Sequence, residues 1–266
     1  MAKLTGDLLF TGTLGGLTAY RLPGNPHVII RTKGGVSPAR IKHDRVFRVT
    51  RLYNQEFGGA AKAGSALRQV LFPISRKADH NLTPRFNQLC KSIQSLDNET
   101  PVGQRGIYFS RNRALLQGLT LSLEPFKNLC GAQLLPEICR MNGVMQMEVP
   151  ELVPGQNLQI PWRPPFYQLV LTMGILYDFY QINGKYTSHS GQVVSTSQAY
   201  RSAWQAVEDS LPAQMIHMQI KDPADCQIPG TTIVVAAALY GGAHNKQKTT
   251  IEPVKRIVAA EIIAAV

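Results

Sequence analysis

The sequence predicts an α+β fold in which an N-terminal β-hairpin plus helices is followed by an antiparallel β-sandwich. Three observations predict it. Residues 8–33 alternate apolar and polar character between Gly and Pro punctuation, apolar residues recur at helical spacing from Asp44 to Leu96, and strand-like segments separated by Pro/Gly loops follow residue 100. The 266 residues suffice for two domains of ordinary size, and the change of pattern places a basic hairpin-plus-helices region at 1–125 and a sandwich at 126–266.

In the first region, Leu14-Gly15-Gly16 and Pro23-Gly24-Asn25-Pro26 read as turns around Leu17–Leu22 and His27–Lys33, with Val28, Ile29 and Ile30 as strand formers. From Val46 the stripe Val49, Tyr53, Phe57, Ala60, Ala61, Gly64, Leu67 and Leu71 predicts one or two amphipathic helices. Its middle, Phe57 to Ala66, is built of small residues that admit close packing. Gly58-Gly59 is the expected kink, since Gly costs about 1 kcal/mol against Ala in a helix. A third helix begins with Thr83 as N-cap and Pro84 at the first helical position, and carries Phe86, Leu89, Ile93 and Leu96 on one face.

In the second region, Ile138–Met141 and Val144–Val149 flank Asn142-Gly143, a pair suited to the two positive φ values of a type I′ hairpin. Further strands are predicted at Asn157–Pro161, Tyr167–Tyr180, Met215–Ile220, Thr231–Tyr240 and Arg256–Val266. Tyr186–Gln205 is polar and reads as a long loop or one with a short helix near Ala199–Glu208.

Charge is unevenly distributed. Residues 1–130 carry 19 Lys/Arg against 7 Asp/Glu, whereas residues 131–266 carry 9 against 10. The densest part is Arg31, Lys33, Arg40, Lys42, Arg45, Arg48 and Arg51, seven cations in 21 residues opposed only by Asp44. In a helix Arg45, Arg48 and Arg51 would share a face. Such a face is solvated, or meets acidic protein surface, or tracks phosphates. Without a base-reading motif, any nucleic-acid binding would be independent of sequence. Charged residues make up only 17% of the chain, against about 25% in average proteins, which suits either a polar Ser/Thr/Asn/Gln surface or one covered by neighbouring subunits.

No catalytic or cofactor motif accompanies this charge. Gly12-Thr13-Leu14-Gly15-Gly16 lacks the dinucleotide spacing, and the run from Gly58 to Gly64 lacks the Gly-Lys-Ser/Thr of a phosphate loop. Cys90, Cys130, Cys139 and Cys226 have no metal-ligand spacing and read as free thiols, so neither a metal nor a cofactor is expected. His43-Asp44, His80, His189, His217 and His244 belong to no hydrolase pattern. A site assembled from them in space is the route left open to an enzyme. Trp162, Phe166, Tyr167, Tyr177, Phe179 and Tyr180 form an aromatic run that serves either a sandwich core or an interface. The apolar end segment, including Ile257, Ile262 and Val266, reads as a strand paired in its own sheet or added to a neighbour's.

The pattern from Phe10-Thr11-Gly12-Thr13-Leu14-Gly15-Gly16 to Tyr20, then Ile30-Arg31-Thr32-Lys33-Gly34-Gly35 and Arg51 through Glu56-Phe57-Gly58, resembles a bacterial protein family without assigned function. The likeness covers roughly the first 70 residues; it implies a bacterial origin and adds nothing to the functional reading. With neither a secretory signal pattern nor an apolar run of about 20 residues, the chain reads as cytoplasmic and not membrane-bound. The expectation is a non-enzymatic structural protein that forms a homo-oligomer or filament. Its cations would face acidic protein surface; the alternative is a protein that grips nucleic-acid phosphates with the same residues.

Overall fold

A computed structural model describes residues 2–4, 10–23, 25–32, 34–160, 164–188, 191, 198–244 and 250–266, with the backbone alone for 2–4 and 255–258. Helices and antiparallel strands make an α+β protein that falls into two compact units, Met1–Arg51 and Leu52–Val266. Residue 125, where the sequence pattern changes, lies inside the larger unit.

In the first unit β1 (Ala2–Leu4), β2 (Gly12–Leu14), β3 (Leu17–Tyr20) and β4 (Val28–Thr32) form an antiparallel sheet in the order β1-β4-β3-β2. The β2–β3 hairpin closes through Gly15-Gly16, and Gly15 supplies the positive φ of 55° that the first central residue of such a turn requires. Helix α1 (Pro38–His43) starts where Ser37 Oγ accepts the Arg40 N–H at 3.3 Å and Pro38 occupies the first turn. A 3-10 turn follows at Arg45–Phe47, and Asp44 Oδ1 caps it by accepting the Val46 N–H at 3.0 Å.

Helix α2 (Arg48–Val70) keeps its helical turns through Gly58-Gly59. Gly59 and Gly64 serve close approach, whereas a Cβ at Gly58 would meet nothing within 4 Å. A Cβ on Gly59 would lie 2.6 Å from the Tyr186 ring, and one on Gly64 the same distance from the Asn87 side chain. Only the later part of the apolar stripe enters the core: Ala60, Ala63, Gly64, Leu67 and Val70 are buried, while Val46, Val49, Tyr53 and Phe57 are exposed. After α3 (Phe72–Ser75), α4 (Thr83–Ser95) buries Phe86, Cys90 and Ile93 but leaves Leu96 exposed. Thr83 is its first helical residue rather than its cap, and Asn81 Oδ1 accepts the Thr83 N–H at 3.0 Å. A single turn, α5 (Phe126–Leu129), completes the helices.

The remaining strands are β5 (Glu137–Cys139), β6 (Val144–Val149), β7 (Phe166–Tyr177), β8 (Phe179–Ile182), β9 (Lys185–Ser188), β10 (Gln198–Arg201), β11 (Gln205–Ala206), β12 (Gln214–Gln219), β13 (Thr231–His244) and β14 (Ile251–Ala265). The large sheet has the order β10-β7-β13-β14, with β11 also on β7; β12-β6-β5 forms a smaller sheet. β7 and β13 are buried on both faces, and period-2 alternation sorts their side chains between two cores. Val170, Leu176, Val234, Ala236, Ala238 and Tyr240 pack with Leu67, Phe86 and Ile93 of the helices. Leu169, Leu171, Met173, Val235 and Leu239 pack with Met145, Met147, Ile216 and Met218 of the smaller sheet. The sandwich is therefore covered by helices on its other face, giving three layers within the larger unit.

Three local expectations are corrected. β5 and β6 are joined by the four residues Arg140–Gly143, not by a two-residue turn, since Cys139 pairs with Val144 and only Gly143 of that loop has positive φ. Asn142 Oδ1 instead accepts the Val144 N–H at 3.2 Å. The Asn-Gly turn with two positive φ values is Asn183-Gly184 (48° and 78°), between β8 and β9. The segment Ala199–Glu208 contains β10 and β11 rather than a helix, because it edges the large sheet on β7. Residues 157–160 form no strand; Pro161 lies outside the described residues.

Candidate functional site

The basic segment 31–51 is the candidate that the sequence raises, and the structure divides its cations by the local chemistry of the chain. Arg51 is turned inward: its Nη1 donates to the carbonyls of Ile41 at 2.8 Å and Asp44 at 2.7 Å, satisfying acceptors at the end of α1. The shared face of Arg45, Arg48 and Arg51 is thereby corrected, since Arg51 acts inside the chain. Arg40 donates through Nε to Asp44 Oδ2 at 3.1 Å, an exposed pair. Asp44 is held below the usual carboxylate range by the Val46 N–H first and by Arg40 second. Arg31 lies 5.4 Å from the centre of the Tyr20 ring.

Lys42, Arg45 and Arg48 are exposed and form no ion pair among the described residues. Beside them Val46 is 78% exposed and Val49 57%, and the β2–β3 hairpin shows Leu14 at 70%. Lys33 lies outside the described residues. The exposed face of this unit is thus both cationic and apolar. Among its described side chains, only Ala19, Val28 and Ile29 are buried hydrophobics.

The aromatic and C-terminal candidates resolve differently. Tyr167 is buried with its hydroxyl donating to Asp209 O at 2.8 Å, and Tyr177 and Phe179 are core residues. Phe166 meets His244 edge-to-face at 4.8 Å, and Trp162 lies outside the described residues. β14 pairs with β13 from His244↔Ile251 to Val234↔Ala265. Its other edge is occupied between residues 259 and 262: Leu121 N donates to Ala260 O at 2.7 Å, Ile262 N to Leu119 O at 2.9 Å and Gly118 N to Ile262 O at 2.8 Å. Ile262 is buried, and Val266 exchanges both backbone bonds with Ile233. The side chain of Ile257 lies outside the described residues. Tyr167 and Ile262 are corrected as interface side chains, because both belong to the chain's own core and that stretch of β14 has no open edge to lend.

Among the described residues the histidines and cysteines do not converge on one centre. His80 Nδ1 lies 2.6 Å from Asp79 Oδ1, whose second oxygen accepts the Leu123 N–H at 2.9 Å. His43 and His217 are exposed on separate elements, and His189 lies outside the described residues. Cys90, Cys130 and Cys226 are buried, and burial pushes the Cys90 thiol up to about 12.

Two features escaped sequence reasoning. One is a buried charge network around Glu56. Arg105 donates Nε to Oε1 and Nη2 to Oε2, both at 2.7 Å, Lys91 donates to Oε2 at 2.6 Å, and Gly103 N donates to Oε1 at 2.8 Å. Burial opposes ionisation of Glu56, but these donors together outweigh it and bring the carboxyl down to about 2. The other is a concave surface of about 450 Å³ beside the smaller sheet, lined by Leu135, Glu137, Gln146, Glu148 and Met215. Alternation along β6 is its only trace in the sequence: Met145, Met147 and Val149 point inward, so Gln146 and Glu148 point out.

No helix among the described residues is long and apolar enough to cross a membrane. Neither a protein-family model, nor a curated protein, nor a solved structure matches the chain.

Proposed function

We propose that the chain is a non-enzymatic structural protein that self-assembles into a larger oligomer or filament, using its cationic N-terminal unit against a neighbouring copy. One observation carries this reading. Among the described side chains of Met1–Arg51, three buried apolar ones coexist with exposed Leu14, Leu17, Leu22, Val46 and Val49. A unit of that size buries too little apolar surface to offset the entropy of ordering its chain, so a covering surface supplies the deficit. The outer face of the smaller sheet has matching chemistry. Glu137 and Glu148 are exposed there beside Leu135, 71% exposed, and Met215, 50% exposed. Carboxylates next to apolar groups suit Arg45 and Arg48 flanking Val46 and Val49.

The test is light scattering coupled to size exclusion over a range of concentration. Oligomers are expected at high micromolar protein. The double variant Arg45→Glu/Arg48→Glu should dissociate them, and Glu137→Arg/Glu148→Arg added to it should restore them. A monomer at every concentration and at low salt overturns the reading. The exposed, unpaired Lys42, Arg45 and Arg48 favour a second reading, sequence-independent nucleic-acid binding. It requires a steep negative dependence of duplex or single-strand affinity on log salt, and is removed if no binding occurs at low salt.

A further inference from the structure

Four carboxylates are buried among the described residues, Glu56, Asp97, Asp178 and Glu261. Three are met by two or more donors each. Glu56 has its four; Asp97 accepts the N–H groups of Glu99, Thr100 and Gly106 and the Thr100 hydroxyl; Asp178 accepts the Ser110 N–H at 2.9 Å and its hydroxyl at 2.5 Å. Glu261 is 7% exposed, yet its one hydrogen bond among the described residues is a long one, from the Lys127 N–H to Oε2 at 3.4 Å. No basic side chain among the described residues pairs with it.

The position of this carboxylate is imposed by the sheet. Ala260 and Ile262 commit their side chains to the helical core, so Glu261, between them on β14 and opposite Ala237, must point to the other face. The segment bonded along the outer edge at Gly118, Leu119 and Leu121 keeps the strand from turning it out to solvent. There Glu261 lines a cavity of about 370 Å³ together with Gln117, Phe126, Lys127, Leu134 and Ile263; Lys127 is exposed and forms no ion pair with Glu261 among the described residues. A Cβ added at Gly118 would stand 3.7 Å from Oε1, an ordinary contact distance, so Gly118 lies directly beside the carboxylate.

A buried carboxylate with one long donor keeps most of its desolvation cost, and a partner that offsets it brings positive charge into this partly apolar space. A metal ion would need several oxygen ligands, and no cluster of three ligating side chains occurs among the described residues. We infer that this cavity binds an organic cation, an ammonium or guanidinium group on an aliphatic stem. The head sits on Glu261 and the stem lies along Phe126, Leu134 and Ile263. This site goes beyond the assembly reading and does not depend on it.

The experiment is an NMR titration of the full chain with n-butylguanidinium and with n-butylurea, its neutral isostere. Saturable shifts at the Gly118, Lys127 and Ile263 amides are expected for the cation, with Kd of about 1 mM or tighter. Affinity should fall at least tenfold for n-butylurea and for Glu261→Gln. The same variant should melt no lower than the wild type, since it removes a buried charge and keeps the shape. Light scattering during the titration separates the source of the natural cation. Dissociation of an assembly points to a side chain of a second copy, and an unchanged mass to a free amine. Equal binding by Glu261→Gln or by n-butylurea, a lowered melting temperature of that variant, or no saturable shift by about 20 mM overturns the inference. So does a tenfold gain in Lys127→Ala, which would show that Lys127 already fills the site.

Discussion

Glu56 and Glu261 are both buried glutamates in the larger unit, and their surroundings are opposite. Around Glu56 two helices and the 97–108 loop bring an arginine fork, a lysine and a backbone N–H onto one carboxylate, and Tyr186 extends the network by donating to Arg105 O at 2.9 Å. Around Glu261 the same burial is met by one long bond and an open cavity. The difference teaches how to tell a buried charge that holds a fold from one that waits for a partner. Desolvation is common to both, so the donor inventory decides.

The largest effect that would sharpen the contrast is at Glu56. Glu56→Gln leaves Arg105 and Lys91 facing a neutral amide in a buried site, and should cost about 3–5 kcal/mol in urea unfolding. A loss under about 1 kcal/mol would break the comparison. The pH dependence has a defined sign. The folded value of about 2 lies below the ordinary 4.5, so the stabilisation is fully present above pH 4.5 and is lost as pH falls toward 2. Glu56→Gln should flatten that acid limb of stability.

A smaller effect probes how tightly the Glu56 side is closed. Gly59→Ala gains helix propensity but drives a methyl into the Tyr186 ring, which Gln94 and Arg105 hold by its hydroxyl, and a net loss of about 1–3 kcal/mol is expected. A stabilised variant would show that Tyr186 moves freely. The smallest effect tests the open side. Gly118 has φ of 77° and a Cβ there would meet Glu261 Oε1 at an ordinary contact distance of 3.7 Å, so Gly118→Ala should cost only the left-handed backbone term of about 1–2 kcal/mol. A greater loss in thermal unfolding would mean that the space beside Glu261 is filled.

Much of this architecture was legible in the chain. Val28, Ile29 and Ile30, the Gly15-Gly16 hairpin, the Phe86/Ile93 face and the long apolar strands β7, β13 and β14 follow from periodicity and turn chemistry, which act over a few residues. The two Asn-Gly pairs mark the limit. Asn142-Gly143 and Asn183-Gly184 offer the same local preference. Only the second sits where its strands are paired directly up to the turn, because Arg140 is drawn away to the carbonyls of Cys226, Thr231 and Val266. The basic segment shows the same limit: its charge is evident from composition, but whether Arg51 faces a partner or the end of α1 depends on where the carbonyls of Ile41 and Asp44 lie.

By itself the amino-acid order determined the α+β class, the strand and helix content and the concentration of positive charge before residue 130, because these depend on near-neighbour spacing and on simple counts. Tertiary structure alone decided which carboxylates are satisfied and which arginines remain at the surface. Glu56 meets Arg105 across 49 positions, and Glu261 meets Lys127 N across 134. Contacts at such separations are set by how the sheet and helices close on one another, and no local pattern encodes them.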